Sequence, residues 1–216
     1  MKHADLKTTW FHKFCKLLTA RCHKDELPAR LAHVAMVIFN YDRCFERYIA
    51  HYLKDYYAIS QEEAETLART VEIYHPYGTV GELPQAGKKG GTPFGLEPAP
   101  SDLLNIASNL KTFTEADKAT DIDAIRKLIA AAPRVVFLGF GFLPLNMDLL
   151  IAKPERATQS HPGNFYGTAL SMSEPNVEAI TNSLITRLRG IHGTIQLVDR
   201  TAGAMMEWFS QRLRFD

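Results

Sequence analysis

The stretch RVVFLGFGFLP, residues 134–144, decides the fold class of this chain. Its first five residues, Arg134 to Leu138, form an apolar run rich in β-formers, which is typical of a strand buried on both faces of a parallel sheet. Gly139 and Gly141 then supply a turn, and Pro144 suits the first turn of a helix. A strand, a glycine turn and a helix in this order predict an α/β unit.

The same alternation continues on both sides of this stretch. Further strands are predicted at Val34–Phe39, TVEIYHPYG (70–78), NFYGTALSMS (164–173) and TIQLVD (194–199). Helices are predicted at Thr9–Ala20, 44–57, Gln61–Arg69, Asp102–Thr112, Asp117–Ala132, Glu174–Arg189 and Ala202–Arg214. We therefore expect a three-layer, mostly parallel Rossmann-like sheet flanked by helices, with right-handed crossovers. Residues 79–101 are dense in Gly and Pro, and predict a flexible loop or lid.

Length and composition limit the classes of protein. A chain of 216 residues requires no more than one domain, so a single domain over 1–216 is the expectation. A net charge of +1 provides no field to attract nucleic acid or an anionic membrane, and no apolar stretch is long enough to cross a bilayer. Cys15, Cys22 and Cys44 form no CxxC pair, which favours a reducing compartment and a cytoplasmic location.

Ligands of parallel α/β sheets bind beyond the carboxyl ends of the strands, which here read FNYD, YHPYG, LGFGF and LVDR. Asn40 and Asp42 offer groups suited to an amide such as that of nicotinamide, although Asp42 equally suits a helix cap. Gly139 and Gly141 would allow a phosphate or ribose to approach the backbone, or would simply permit a tight turn.

Histidines are the remaining candidates. His75 lies at a strand end beside Tyr77, where an imidazole could accept a proton from a ribose hydroxyl or from water, or could be structural. His161 and His192 lie near glycines in predicted loops. No set of His, Cys or carboxylate residues has metal-ligand spacing, so no metal is expected.

Four segments in a fixed order resemble the bacterial sirtuin-like family of NAD-consuming proteins, many of which belong to antiviral defence systems. The segments are FNYDRCFER (39–47), IYHPYGTVG (73–81), SNLKTFTE (108–115) and VVFLGFGFLPLNMDLL (135–150). The resemblance covers about Val34 to Leu150, and it implies NAD or ADP-ribose as the ligand.

The resemblance also implies roles for individual residues. Asn40 and Asp42 would face the nicotinamide and its ribose, beside Gly78 and the proton-transfer candidates His75 and Tyr77. The second binding group would be Gly139, Phe140 and Gly141 near the ribose and phosphates, with Asp199 near the adenosine. The family's usual base is the His directly before Gly, and this position is Tyr77 here, whereas His75 matches the first His of the pattern.

One difference from the family lies ahead of Val34, where the family has a strand and a GAG-type loop that binds the pyrophosphate. We therefore expect a domain incomplete at its amino terminus, weak binding of intact NAD by the chain alone, and a second copy or a second protein that completes the site. The zinc-ribbon cysteines of protein-deacylating sirtuins are also absent. The expected function is an NAD glycohydrolase-like domain, and the alternatives are an inactive nucleotide sensor, an interaction scaffold or a truncated reading frame.

Overall fold

The computed structural model describes residues 6–84, 90–95, 97–112, 121–151, 163–188 and 193–215 of the chain. The strands are β1 Ala35–Val37, β2 Glu72–Tyr74, β3 Arg134–Phe137, β4 Asn164–Thr168 and β5 Ile195–Val198. The helices are α1 Trp10–Thr19, α2 Leu27–Leu31, α3 Cys44–Tyr57, α4 Gln61–Ala68, α5 Pro100–Ser108, α6 Asp121–Ala131, α7 Pro144–Leu150, α8 Glu174–Arg187 and α9 Ala202–Trp208.

The predicted α/β class is confirmed. Of the residues that the structure describes, 48% are helical, and the parallel strands form two small sheets that helices flank in a Rossmann-like manner. Strands β1 and β2 form one sheet, and the other has the order β3-β4-β5. The alternation of strands and helices in the sequence does not determine which strands pair, so this division is new information from the structure.

By its internal contacts the chain divides into two compact units. The amino unit is Leu18–Asp121, and the carboxyl unit comprises Met1–Leu17 and Ile122–Arg214. The expectation of a single domain over 1–216 stays a prediction.

The amino unit is built on the parallel β1–β2 pair, in which Met36 aligns with Ile73. Helix α3 packs against α4, and α4 against α2. Helix α3 begins and ends as predicted, because its apolar side chains recur at helical spacing. Its buried residues are Phe45, Tyr48, Ile49, Ala50 and Leu53.

The carboxyl unit is built on three parallel strands, in which Val136 aligns with Tyr166 and Phe165 with Ile195. One face of this sheet packs against α9 and α1. The apolar cluster there consists of Tyr166, Met205, Met206, Phe209 and Leu213, with Phe14, Leu17, Val136, Leu138 and Val198 packed against it.

Several boundaries differ from the predictions. Strand β1 is shorter than Val34–Phe39. Helix α2 was not predicted at all, because it spans only five residues and begins at the end of the polar stretch RCHKDELP. Within the predicted 79–101 loop, the described residues 79–84, 90–95 and 97–99 form no helix or strand, and α5 already begins at Pro100. Residues 85–89 and 96 of that loop, and 113–120 before α6, lie outside the described residues.

Candidate functional site

The carboxyl ends of β1 and β2 lie at the same edge of the sheet because the two strands are parallel. The pairing continues one residue beyond β1, where the Ile38 amide donates to the Tyr74 carbonyl at 2.8 Å. The loops that follow, residues 39–43 and 75–80, therefore begin side by side. We call this edge the amino-unit rim.

Hydrogen bonds join the two loops of the amino-unit rim. His75 Nδ1 lies 3.2 Å from the Asn40 carbonyl oxygen, and the Val80 amide donates to the Tyr41 carbonyl at 3.2 Å. Within the second loop, the Gly78 amide donates to the His75 carbonyl at 2.9 Å. The structure thus brings Asn40 and His75 together, as the sequence predicts for residues that follow neighbouring parallel strands.

His75 has a second partner that sequence reasoning missed. Its Nε2 lies 2.9 Å from Oε1 of Glu46, and the two side chains are only 10% and 23% exposed. Glu46 occupies the first turn of α3, where a carboxylate is ordinarily explained by the helix dipole. No sequence signal connected it to a histidine 29 positions away.

Asp42 is predicted to cap α3, but the N-cap position is Arg43, which has no side-chain cap hydrogen bond, and Asp42 precedes it. Its Oδ1 accepts from the Cys44 amide at 2.9 Å. Partial burial acts to raise the pKa of Asp42, but hydrogen bonds from Cys44 and from the Asn40 side chain, together with nearby His75, bring that pKa below its ordinary value. Asp42 is therefore an ionised acceptor at neutral pH, and it holds Asn40 in place.

The Cys44 thiol borders the same rim. Burial, the hydrogen bond to Asp42 and the charges of Asp42 and Glu46 raise its pKa to about 11. A thiol with such a pKa stays protonated at neutral pH, so Cys44 is a poor nucleophile.

Arg43 links the rim to the Gly- and Pro-rich segment. Its side chain is buried, and one terminal nitrogen donates to the Thr92 carbonyl at 2.8 Å. The Thr92 amide in turn donates to the Glu82 carbonyl at 2.8 Å. Nε of Arg43 and Oε2 of Glu46 are buried without a hydrogen-bond partner among the described residues, so a polar donor and a polar acceptor remain available beside the rim.

Tyr77 and Gly78 complete the second loop. Burial, with a smaller effect from Tyr41, raises the pKa of the Tyr77 hydroxyl, so this group serves as a hydrogen-bond donor rather than as a base. The Tyr77 ring packs edge-on against Phe39, with centroids 5.7 Å apart. Gly78 has a positive φ of 78°, and a Cβ there would overlap the Asn109 carbonyl oxygen. Backbone packing alone therefore requires glycine at position 78.

The other predicted residues lie at the carboxyl edge of the β3–β5 sheet. Gly139 adopts a φ of 59°, and its amide donates to Thr168 Oγ1 at 2.8 Å. A Cβ at Gly139 would have no atom within 4 Å, so its outer face is open to a close approach. Gly141 follows in the same turn and is exposed. The Phe140 ring packs against Phe137, with centroids 5.3 Å apart.

Asp199 lies at the same edge, after β5. Its Oδ1 accepts from the Ser171 amide at 2.7 Å, which joins the loop after β5 to the loop after β4. The side chain is exposed.

Two histidines are the remaining candidate residues. His161 and His192 lie outside the described residues. Among the residues that the structure describes, no group of three or more His, Cys, Asp or Glu side chains is arranged to hold a metal ion. No helix in the described ranges is both long and apolar enough to span a membrane.

Comparisons with known proteins matched no family model, no curated protein and no solved structure.

Proposed function

We propose that this chain is a sirtuin-like, NAD-handling α/β domain whose ligand is NAD or ADP-ribose. The observation that carries this proposal is the cluster of Asn40, Asp42 and His75 at the carboxyl ends of two parallel strands, which is the usual position of a ligand in parallel α/β sheets. The resemblance of four segments to the bacterial antiviral-defence family supports the same ligand class.

The residues present suit the parts of such a ligand. The ionised Asp42 would accept a hydrogen bond from a carboxamide NH₂, and the open face of Gly139 would let a ribose or phosphate oxygen approach the backbone. A neighbouring copy or a second protein would supply pyrophosphate contacts, and we place the protein in the bacterial cytoplasm as part of the proposal.

Within this proposal, hydrolysis of NAD is less favoured than binding without hydrolysis. In a glycohydrolase, Asn40 would position water or the ribose, and His75 or Tyr77 would move a proton. His75, however, uses both ring nitrogens in contacts with oxygen acceptors, and Tyr77 keeps its proton. These observations favour the alternative, a nucleotide sensor that binds without hydrolysis.

Calorimetric titration of the purified chain with ADP-ribose and with NAD tests binding. We expect ADP-ribose to bind, and Asp42→Ala to weaken binding by about tenfold, because one charge-assisted hydrogen bond and the support of Asn40 are lost. The exposed carboxylate of Asp25 provides a matched control, and Asp25→Ala should bind as the wild type does. Absence of binding by the wild type would refute the proposed ligand class.

Release of nicotinamide from NAD tests turnover separately. We expect the wild type to release none above the rate of the Asp42→Ala variant. If the wild type does release nicotinamide and Tyr77→Phe abolishes the release, the chain is a glycohydrolase and the sensor alternative is wrong.

A further inference from the structure

The surroundings of the His75 ring determine its protonation state. Nδ1 lies 3.2 Å from the carbonyl oxygen of Asn40, and Nε2 lies 2.9 Å from a carboxylate oxygen of Glu46. The His75 side chain is 10% exposed, and its contact with Glu46 is partly buried.

Both of these partners are acceptors. A backbone carbonyl can only accept, and so can an ionised carboxylate. A neutral imidazole carries one N–H, so its other nitrogen would direct a lone pair at an oxygen. A hydrogen bond from each ring nitrogen requires two N–H groups. A neutral His75 beside an ionised Glu46 has only one, so the pair must carry one additional proton.

The charges around the pair indicate which residue holds this proton. An imidazole is a stronger base than a carboxylate. The Asp42 carboxylate acts on His75 from the loop after β1, and the buried Arg43 guanidinium acts on Glu46 from the start of α3. The first charge stabilises an imidazolium and the second stabilises an ionised Glu46. The Cys44 thiol at the start of α3 is neutral, because its pKa is raised to about 11.

We propose that His75 is an imidazolium at neutral pH, held by Glu46, and that it is a positioning residue rather than a base. It ties the Asn40 carbonyl of one loop to the first turn of α3, so it fixes the rim on which Asn40 and Asp42 are presented. The protonation state follows from the hydrogen-bond geometry together with the neighbouring charges, whereas the consequence for ligand binding rests on the proposed function.

Nitrogen NMR of the imidazole rings in the unliganded protein tests the protonation state. At neutral pH we expect both ring nitrogens of His75 to carry a hydrogen in the wild type. In Glu46→Gln the carboxamide NH₂ can donate to Nε2, so we expect His75 to be neutral with its hydrogen on Nδ1. The exposed Glu62 on α4 provides the matched control, and Glu62→Gln should leave the His75 signals unchanged.

The wild-type spectrum decides the matter even if Glu46→Gln does not fold. An Nε2 without hydrogen in the folded wild type at neutral pH would overturn the imidazolium. A His75 that stays doubly protonated in Glu46→Gln would refute the part of the proposal in which Glu46 holds that imidazolium.

Calorimetry with ADP-ribose then tests the positioning role. We expect Glu46→Gln to bind about tenfold more weakly than wild type and Glu62→Gln to bind equally well. If the wild type binds and Glu46→Gln binds as tightly, the positioning role is refuted. If the wild type does not bind at all, the proposed function fails, and the NMR result still decides the protonation state.

Discussion

At the scale of single residues, Gly78 shows how backbone packing limits the residue type that this position of the amino-unit rim can hold. Replacement by Ala would place a Cβ against the Asn109 carbonyl oxygen and would keep a φ of 78° that L-residues disfavour. We expect Gly78→Ala to lower the free energy of unfolding by more than about 2 kcal/mol in urea titrations.

Replacement of Gly95 separates the overlap with Asn109 from the strain of a positive φ. Gly95 also has a positive φ, 75°, but a Cβ there would meet no atom within 4 Å. Gly95→Ala should therefore cost only about 1 kcal/mol, the strain of the left-handed backbone. Equal losses in the two variants would contradict the overlap with Asn109.

Asp42 makes the free energy of unfolding depend on pH. A carboxyl with a depressed pKa contributes stability that is present above the pKa of the unfolded chain and is lost as the pH falls through the lower, folded pKa. Asp42→Asn keeps an oxygen for the Cys44 amide but cannot ionise. We expect wild type to exceed this variant in unfolding free energy at pH 7, and the difference to shrink as the pH falls below about 4. A difference that is the same at both pH values would contradict the lowered pKa.

Residue-level predictions from the sequence were accurate where the signal was local. Asp42 accepts from the Cys44 amide two positions along the chain, at the predicted start of α3, although the N-cap itself is Arg43. The contact of Glu46 with His75 joins residues 29 apart, so it depends on how α3 meets the loop after β2. No sequence pattern within either segment predicts the contact between α3 and this loop.

At the scale of elements, the turn after β3 is held by the end of β4. The Gly139 amide donates to Oγ1 of Thr168, a residue that is only 5% exposed. Thr168→Val preserves shape but leaves the amide without this acceptor, which should cost about 1 to 3 kcal/mol of unfolding free energy and accelerate hydrogen exchange at Gly139. Thr168→Ser retains the hydroxyl and should keep the exchange slow. Fast exchange in both variants would contradict this role of the hydroxyl.

The sequence predicted long periodic elements better than short ones. Helix α3 has fourteen residues with five buried positions at helical spacing, and its bounds were predicted correctly. Helix α2 has five residues, of which only Leu27 and Leu31 are buried, so its apolar signal is too small to distinguish from a loop. The end of strand β1 was predicted too late, because the apolar sequence continues to Phe39, past the paired residues.

At the scale of the whole molecule, the α/β class could be derived from the alternation of strands and helices, and the structure confirms it. The division of the strands into a two-stranded and a three-stranded sheet could not be derived from the sequence, because strand pairing depends on long-range geometry. The candidate residues accordingly separate into the group that includes Asn40, Asp42 and His75, and the group around Gly139 with Asp199. The proposed function depends on the first group, which lies on the amino-unit rim.

Amide chemical-shift mapping during titration with ADP-ribose tests the proposed binding site most directly. We expect the largest shifts to fall on residues 40–46 and 75–78. Shifts that leave these residues unchanged and fall elsewhere in the chain would contradict a nucleotide site at the amino-unit rim.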